Sequence, residues 1–505
     1  MVMLKDREQD MKNPFVYLTS THRRGVIASP LSLGTQNRWG DIGHCSRRWL
    51  QKIHDLGFAF WRISKQPEGA SALGKIEHGS QDFWSSAWTP NPLYVDLAEL
   101  FEWGLLTSIE RDFWGTHAEK DWEAHAAAKD YLLRLAAREF SRRATQDLMM
   151  EFLSFSKTEN EWLEPYALFQ ALYHALGKRP WKDWPETLRY RDRKAIENVK
   201  RQLQEEIQTE RLLQFFFDRQ WRMLCSLAED LRIYLVASVP LWLDEHRTDI
   251  WLESKYFFLD DQQRLTVSAI PQSQCESTCE NRVLYPVYRW KRMGEEHYIW
   301  WGKRVQQILR HFDGLYIHDF GDFIRYAEIS LSAPKDDVRY VSGPGIAFFQ
   351  VLQLRTGTRL CMADSVAEAM RSEKEWHALK NVLSTFFRER YSDTPAVALD
   401  WKEYRNVDVK LIYLSCDAIP EASGQKKSVQ RRKNIQQITQ KYTSYFKPLR
   451  TVLRLWEACF LWRWKQWRKK RWLKILFVLC VKTRSIFRSL YIFVKTFLRK
   501  KITSN

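Results

Sequence analysis

Short apolar runs alternate with long amphipathic stretches along this chain. The runs at 25–28, 59–63, 233–236, 314–317, 360–362 and 410–414 predict strands. Helical periodicity fills much of the sequence between them. One pattern, 166–176, follows Pro165 and stops at Gly177, the punctuation expected of a helix start and end. A second, 192–227, opens on Asp192 and is rich in Glu, Gln, Arg and Leu, all good helix formers. Strand–helix alternation on this scale predicts a parallel sheet, and at this length a (β/α)₈ TIM-type barrel with helical insertions. Residues 111–179 read as helices alone and so as an insertion beside the barrel. No repeat of fixed period is visible, which excludes a solenoid.

The chain has 505 residues, 45% hydrophobic and 14% aromatic, a composition that builds a packed core. Its 24 tryptophans suit cores first and sugar-stacking platforms second. The net charge of +18 hides a division. From Lys426 to Asn505 there are 23 Lys plus Arg and one acid, Glu457, so this segment carries +22 and the preceding residues −4. Any anionic partner is therefore the tail's. The composition changes near Ala422, which divides the chain into an extension (1–22), a barrel region (23–422, with the insertion at about 111–179) and a basic, Trp-rich tail (423–505).

Within the tail, Trp456, Phe460, Trp464 and Trp467 fall at helical spacing with Arg463, Lys465 and 468–471 between them. Such a basic amphipathic helix suits an anionic membrane surface, contacted by 426–505. The apolar stretch 473–481 falls short of the roughly 20 residues that span a bilayer. No motif supports specific nucleic-acid binding. The opening MVMLKDREQD has no apolar signal region, and eight scattered cysteines fit a reducing compartment. The expected location is cytoplasmic, peripheral at a membrane. Cys275 and Cys279 lack a second ligand pair at zinc spacing, so no metal is expected.

The candidate chemistry lies at residues 312–323, FDGLYIHDFGDF, where an apolar strand pattern ends in polar residues. Several stretches show a resemblance in a common order. RRGVIASPLSL (23–33) with WGDIG (39–43) resembles the opening of the amylomaltase family, the bacterial 4-α-glucanotransferases. NPLYVDL (91–97), WKDWPETLRYRD (181–192), FFFDRQW (215–221), YIWWGKR (298–304) and SGPGIAFFQVL (342–352) follow collinearly. The resemblance covers about 23–417. It implies a (β/α)₈ barrel and disproportionation of α-1,4-glucans or maltooligosaccharides through a covalent glucosyl-enzyme, with no cofactor.

Retaining glycosyl transfer needs a carboxylate nucleophile and a carboxyl acid/base about 5–5.5 Å apart. The family's Arg-Ile-Asp-His-Phe-Arg-Gly-Phe aligns with Tyr316-Ile317-His318-Asp319-Phe320-Gly321-Asp322-Phe323. His318 thus occupies the nucleophile position, and Tyr316 replaces the Arg that would orient the carboxylate. Asp319 comes one residue late, on the opposite strand face unless a bulge intervenes. The acid/base motif Ala-Glu-Asp-Leu-Gly aligns with 363–367, giving Asp364, one methylene shorter. The family's Thr-His-Asp-Asn-Asp aligns with 415–419, giving Asp417 as charge stabiliser and Cys416 in place of the sugar-contacting His. Sugar contacts are expected at Asp249, Trp251, Tyr316 and Cys416, although Asp249 and Trp251 also read as packing residues. Polar motifs at 80–82, 237–240, 270–275 and 280–286 depart from the family. The family's final strand is not evident after Asp417. Two readings stand. The chain is either a divergent 4-α-glucanotransferase with Asp319, Asp364 and Asp417 as its carboxylates, or a glucan-binding or membrane-associated pseudoenzyme.

Overall fold

A computed structural model of the chain describes residues 24–34, 39–64, 82–117, 122–271, 284–332, 338–356, 361–363, 387–391 and 410–415. Among the described residues, seven strands close into a barrel: β1 (Arg24–Ala28), β2 (Phe60–Ile63), β3 (Tyr234–Val239), β6 (Gly314–Ile317), β9 (Cys361–Ala363), β10 (Phe387–Tyr391) and β11 (Lys410–Ser415). Six run parallel, while β11 lies antiparallel between β10 and β1. Among the described residues the ring thus has seven strands, one of them antiparallel, where eight parallel ones are expected. The six predicted runs all appear within a few residues of their expected bounds, but 410–415 enters the sheet in the opposite direction. Nothing in an apolar run encodes direction. A second sheet, in the order β5-β4-β7-β8, is built from β4 (Val267–Ile270), β5 (Tyr285–Pro286), β7 (Arg325–Ser330) and β8 (Val338–Ser342).

Helices cover the barrel. We number them α1 (His44–Asp55), α2 (Leu97–Glu102), α3 (Ser108–His117), α4 (Trp122–Arg143), α5 (Gln146–Thr158), α6 (Asn160–Ala175), α7 (Arg193–Gln202), α8 (Gln204–Asp230) and α9 (Ile299–Ile308). The all-helical reading of 111–179 matches α3 to α6. Within α6, Pro165 lies inside the helix instead of at its start. Buried Leu163, Tyr166 and Phe169 hold the helix on either side of the proline, so packing offsets the one backbone hydrogen bond it removes. Gly177 does end this helix. It adopts φ +72°, and its own amide and that of Lys178 fold back onto the His174 and Tyr173 carbonyls. The pattern 192–227 is two helices, broken at Leu203, with Asp192 capping the first through the Ala195 amide at 2.9 Å.

Strand faces are sorted by packing. The Trp61 ring meets Trp49 of α1 edge-on at 6.2 Å, and Leu315 and Ile317 join the same helix-facing core. The alternating residues face the barrel interior. There Phe60 fills the space beside Gly25, where any β-carbon would collide with its ring. Among the described residues no helix is long and apolar enough to cross a membrane.

Candidate active site

β6 delivers the predicted corner. The His318 N–H donates to the Val239 carbonyl at 3.1 Å, extending the ladder one residue past Ile317. His318 therefore stands at the strand end on the alternation set by Gly314 and Tyr316. The chain then breaks away. Asp319 adopts φ +51°, ψ +40°, and its carbonyl accepts the Asp322 amide at 2.9 Å as a 3₁₀ turn opens over Phe320–Phe323. A left-handed Asp is costly enough to require support from its surroundings. That support is visible. The Trp242 indole donates to the Asp322 carboxylate at 2.8 Å, and the Gly343 amide donates to Ile324 at 2.9 Å. A β-carbon on Gly343 would collide with the Phe323 backbone, which gives the glycine of SGPG a steric reason. From the turn the chain enters β7, so the corner joins barrel and second sheet.

Tyr316 is buried. The Arg62 guanidinium stacks over its ring at 3.7 Å, and the His318 ring meets it edge-on at 4.9 Å. Arg62 escaped the sequence reading, although an arginine in the middle of the apolar run FWRI was a visible signal.

Asp249 and Trp251 sit inside the protein. The Asp249 carboxylate accepts the Ala87 N–H at 2.7 Å, and burial holds it above the usual carboxylate range despite that bond and nearby Arg304 and Arg247. Trp251 is 1% exposed, wedged between Phe169 and Trp184 with its indole donating to Leu188. It is a core side chain here. Asp82, the last residue of the departing 80–82 motif, is tied to Arg247 at 2.7 Å, and Arg247 also donates to the Trp84 carbonyl.

Asp364 directly follows β9, and Cys416 and Asp417 directly follow β11; all three lie outside the described residues. Ser415 pairs with Arg388 near the start of β10, so β11 runs toward the end of the barrel opposite His318. The CxxxC pair, Cys275 and Cys279, also lies outside the described residues.

A polar cluster away from the strand ends was not anticipated. Asp96 accepts both the His44 amide, at 2.9 Å, and its ring Nδ1, at 2.6 Å, while Arg47 pairs with Glu99 at 2.5 Å. His44, Asp96 and Glu99 bring ligand-type atoms within 4.8 Å of one another. Asp41 accepts the Cys45 amide at 3.0 Å beside them. Burial and the Asp96 charge push Asp41 up to about 6. Burial opposes charge on His44, but its hydrogen bond to Asp96 and that carboxylate's attraction outweigh it, so its pKa is raised. The arrangement anchors the start of α1 to the start of α2.

A barrel of mainly parallel strands, with its polar corner at the strand ends and helices inserted between them, defines a TIM-barrel-like protein. The 4-alpha-glucanotransferase family model, Glyco_hydro_77, matches residues 28–370, and the chain belongs to that family. It is 32% identical over 331 residues to a 4-alpha-glucanotransferase of Thermus thermophilus, covering 65% of this chain and 64% of that protein. It is 28% identical over 349 residues to the chloroplastic/amyloplastic 4-alpha-glucanotransferase DPE1 of Oryza sativa subsp. japonica, covering 68% and 58%. The match thus spans less than two thirds of these relatives. Among solved structures, amylomaltase from Streptococcus agalactiae in complex with acarbose superposes with a TM-score of 0.62 at 20% identity, over 71% of this chain and 72% of that one. Amylomaltase from Corynebacterium glutamicum gives 0.56 at 16%, over 74% and 51%. These two likenesses speak for the fold.

Proposed function

We propose that this chain recognises α-1,4-glucan or maltooligosaccharide but has lost, or nearly lost, the covalent transfer step. The observation that carries this is His318, tethered to the ladder at the end of β6 where the family chemistry needs an attacking carboxylate. A neutral imidazole gives no anionic support to an oxocarbenium-like transition state. Tyr316 likewise removes the bidentate partner that would aim a carboxylate.

A second reading has one observation in its favour. The left-handed turn at Asp319 breaks strand alternation, so the carboxylate is not bound to the outer face by parity. In that reading Asp319 attacks and Asp364 serves as acid/base. The reaction uses carboxylates and sugar hydroxyls and calls for no cofactor. Residues 426–505 would hold the protein at an anionic membrane surface from the cytoplasmic side.

The test is incubation of the full chain with maltotriose, with products separated by chromatography and Asp319→Asn and Asp364→Ala run beside it. The expected result is unchanged maltotriose from folded protein. Glucose plus longer oligosaccharides, abolished in both variants, would establish the second reading.

A further inference from the structure

The chemistry of the barrel leaves one polar cluster unused, the group that joins the start of α1 to the start of α2. His44 opens α1. Asp96 caps α2 through the Ala98 amide at 2.8 Å, and Glu99 follows within its first turn. The three side chains offer an imidazole nitrogen and two carboxylates, one atom of each lying within 4.8 Å of the others. That donor set suits a divalent cation of the zinc class. Sequence spacing hides it, because 52 residues separate His44 from Asp96.

Neighbouring acids alone do not make a site, but Glu99 adds an independent observation. It is 1% exposed, and its Oε2 has no hydrogen-bond partner, while Arg47 meets Oε1. A buried carboxylate oxygen left bare is costly and calls for a cation. Gly43, just before His44, agrees. A β-carbon there would come within 2.6 Å of Asp96 Oδ2 and 2.8 Å of Glu99 Oε1, so only glycine lets both carboxylates converge beside the imidazole. Charge points the same way. At pH 7.5 the acids Asp41, Asp96, Glu99 and Glu102 outnumber their neighbouring cations, Arg47 and buried Lys129, by the two charges that a divalent ion supplies.

The surroundings fit a bound ion. Gln220 accepts the Asp96 amide and donates to its carbonyl, holding that ligand from behind. The His44 side chain is half-exposed, which gives an ion its way in. At 2.6 Å, His44 Nδ1 and Asp96 Oδ2 stand closer than two ligands of one zinc ion, which sit about 3–3.5 Å apart. Binding therefore exchanges this hydrogen bond for two coordination bonds, and the exposed imidazole is the partner that moves.

We propose that His44, Asp96 and Glu99 bind one zinc-class divalent cation, which clamps α1 to α2 with water completing its coordination. The site is independent of whether transfer survives at the barrel mouth.

Calorimetric titration of the chelator-treated full chain with Zn²⁺, Ca²⁺ and Mg²⁺ tests this. One equivalent of Zn²⁺ should bind at least about tenfold more tightly than either of the other ions. His44→Gln and Glu99→Gln should each lower the zinc affinity by at least about tenfold. The His44 position is half-exposed, so that variant carries the test even where the buried Glu99→Gln fails to fold. Saturating Zn²⁺ should also raise the melting temperature of the parent by about 2–4 °C and leave His44→Gln unmoved. The double variant Cys275→Ser, Cys279→Ser should keep the full affinity, which separates this cluster from the cysteine pair. Unchanged zinc affinity in folded His44→Gln, loss of binding in the cysteine variant, Ca²⁺ or Mg²⁺ bound as tightly as Zn²⁺, or no saturable binding would each overturn the proposal.

Discussion

On the proposed reading, His318 and Tyr316 stand where the family resemblance implies an Asp and an Arg, so the strand end keeps its backbone and lacks their charges. Restoring both should therefore restore chemistry. The double variant Tyr316→Arg, His318→Asp is expected to raise maltotriose disproportionation by at least about 10²-fold over the parent, measured as glucose release. No gain in a folded double variant would move the defect elsewhere in the mouth. Asp41 supports a different test, one of stability. Its folded pKa of about 6 exceeds the ordinary 3.8, so the folded state binds the proton more tightly than the unfolded chain. The stabilisation is present in full below about pH 4 and is lost as pH rises to about 6. Raised His44 extends the same trend, losing its contribution as pH climbs through its folded pKa above 6.5. Asp41→Asn keeps an acceptor for the Cys45 amide. It should melt higher than the parent at pH 7.5, by on the order of 1 kcal/mol, and show no advantage at pH 4. Melting curves that differ equally at both pH values would contradict this assignment.

At the scale of elements, the chain advertised more than it hid. Apolar runs such as 314–317 announced their strands because a buried parallel strand is apolar on both faces. Gly177 announced a helix end because few other residues tolerate φ +72° there. The break at Leu203 had no such mark, being neither Gly nor Pro and deciding nothing until α8 buried its long face. The place of His318 at the end of β6 was legible because a flanking pattern fixed its register. The Arg62–Tyr316 stack was not, since it joins strands separated by about 250 residues of sequence and depends on which faces meet. The corner's dependence on Gly343 yields a prediction at this scale. Gly343→Ala should destabilise the protein by about 2–3 kcal/mol, as overpacking against backbone does, read as a lowered denaturant midpoint. An unchanged midpoint would mean that the turn and β8 separate easily.

For the whole molecule, the charge division predicts behaviour that the barrel alone does not have. With +22 in residues 426–505, the full chain should sediment with vesicles containing anionic lipid and not with neutral ones, and 0.5 M salt should release it, as screening by a Debye length of a few ångströms demands. Replacing Arg468, Lys469, Lys470 and Arg471 with Ser should weaken the association. Binding indifferent to lipid charge would argue for another partner.

The closing strand also sets a timetable. Among the described strands β1 is synthesised first, yet one of its edges is satisfied by β11, whose Tyr413 pairs with Arg24. During synthesis that edge stays open until nearly the whole barrel sequence has emerged, and loops that long close slowly. An open edge recruits any strand that passes. Late closure makes β1 the place where a nascent or refolding chain is most prone to pair with a neighbour, and a chaperone that shields the first 30 or so residues would protect the yield of the whole barrel.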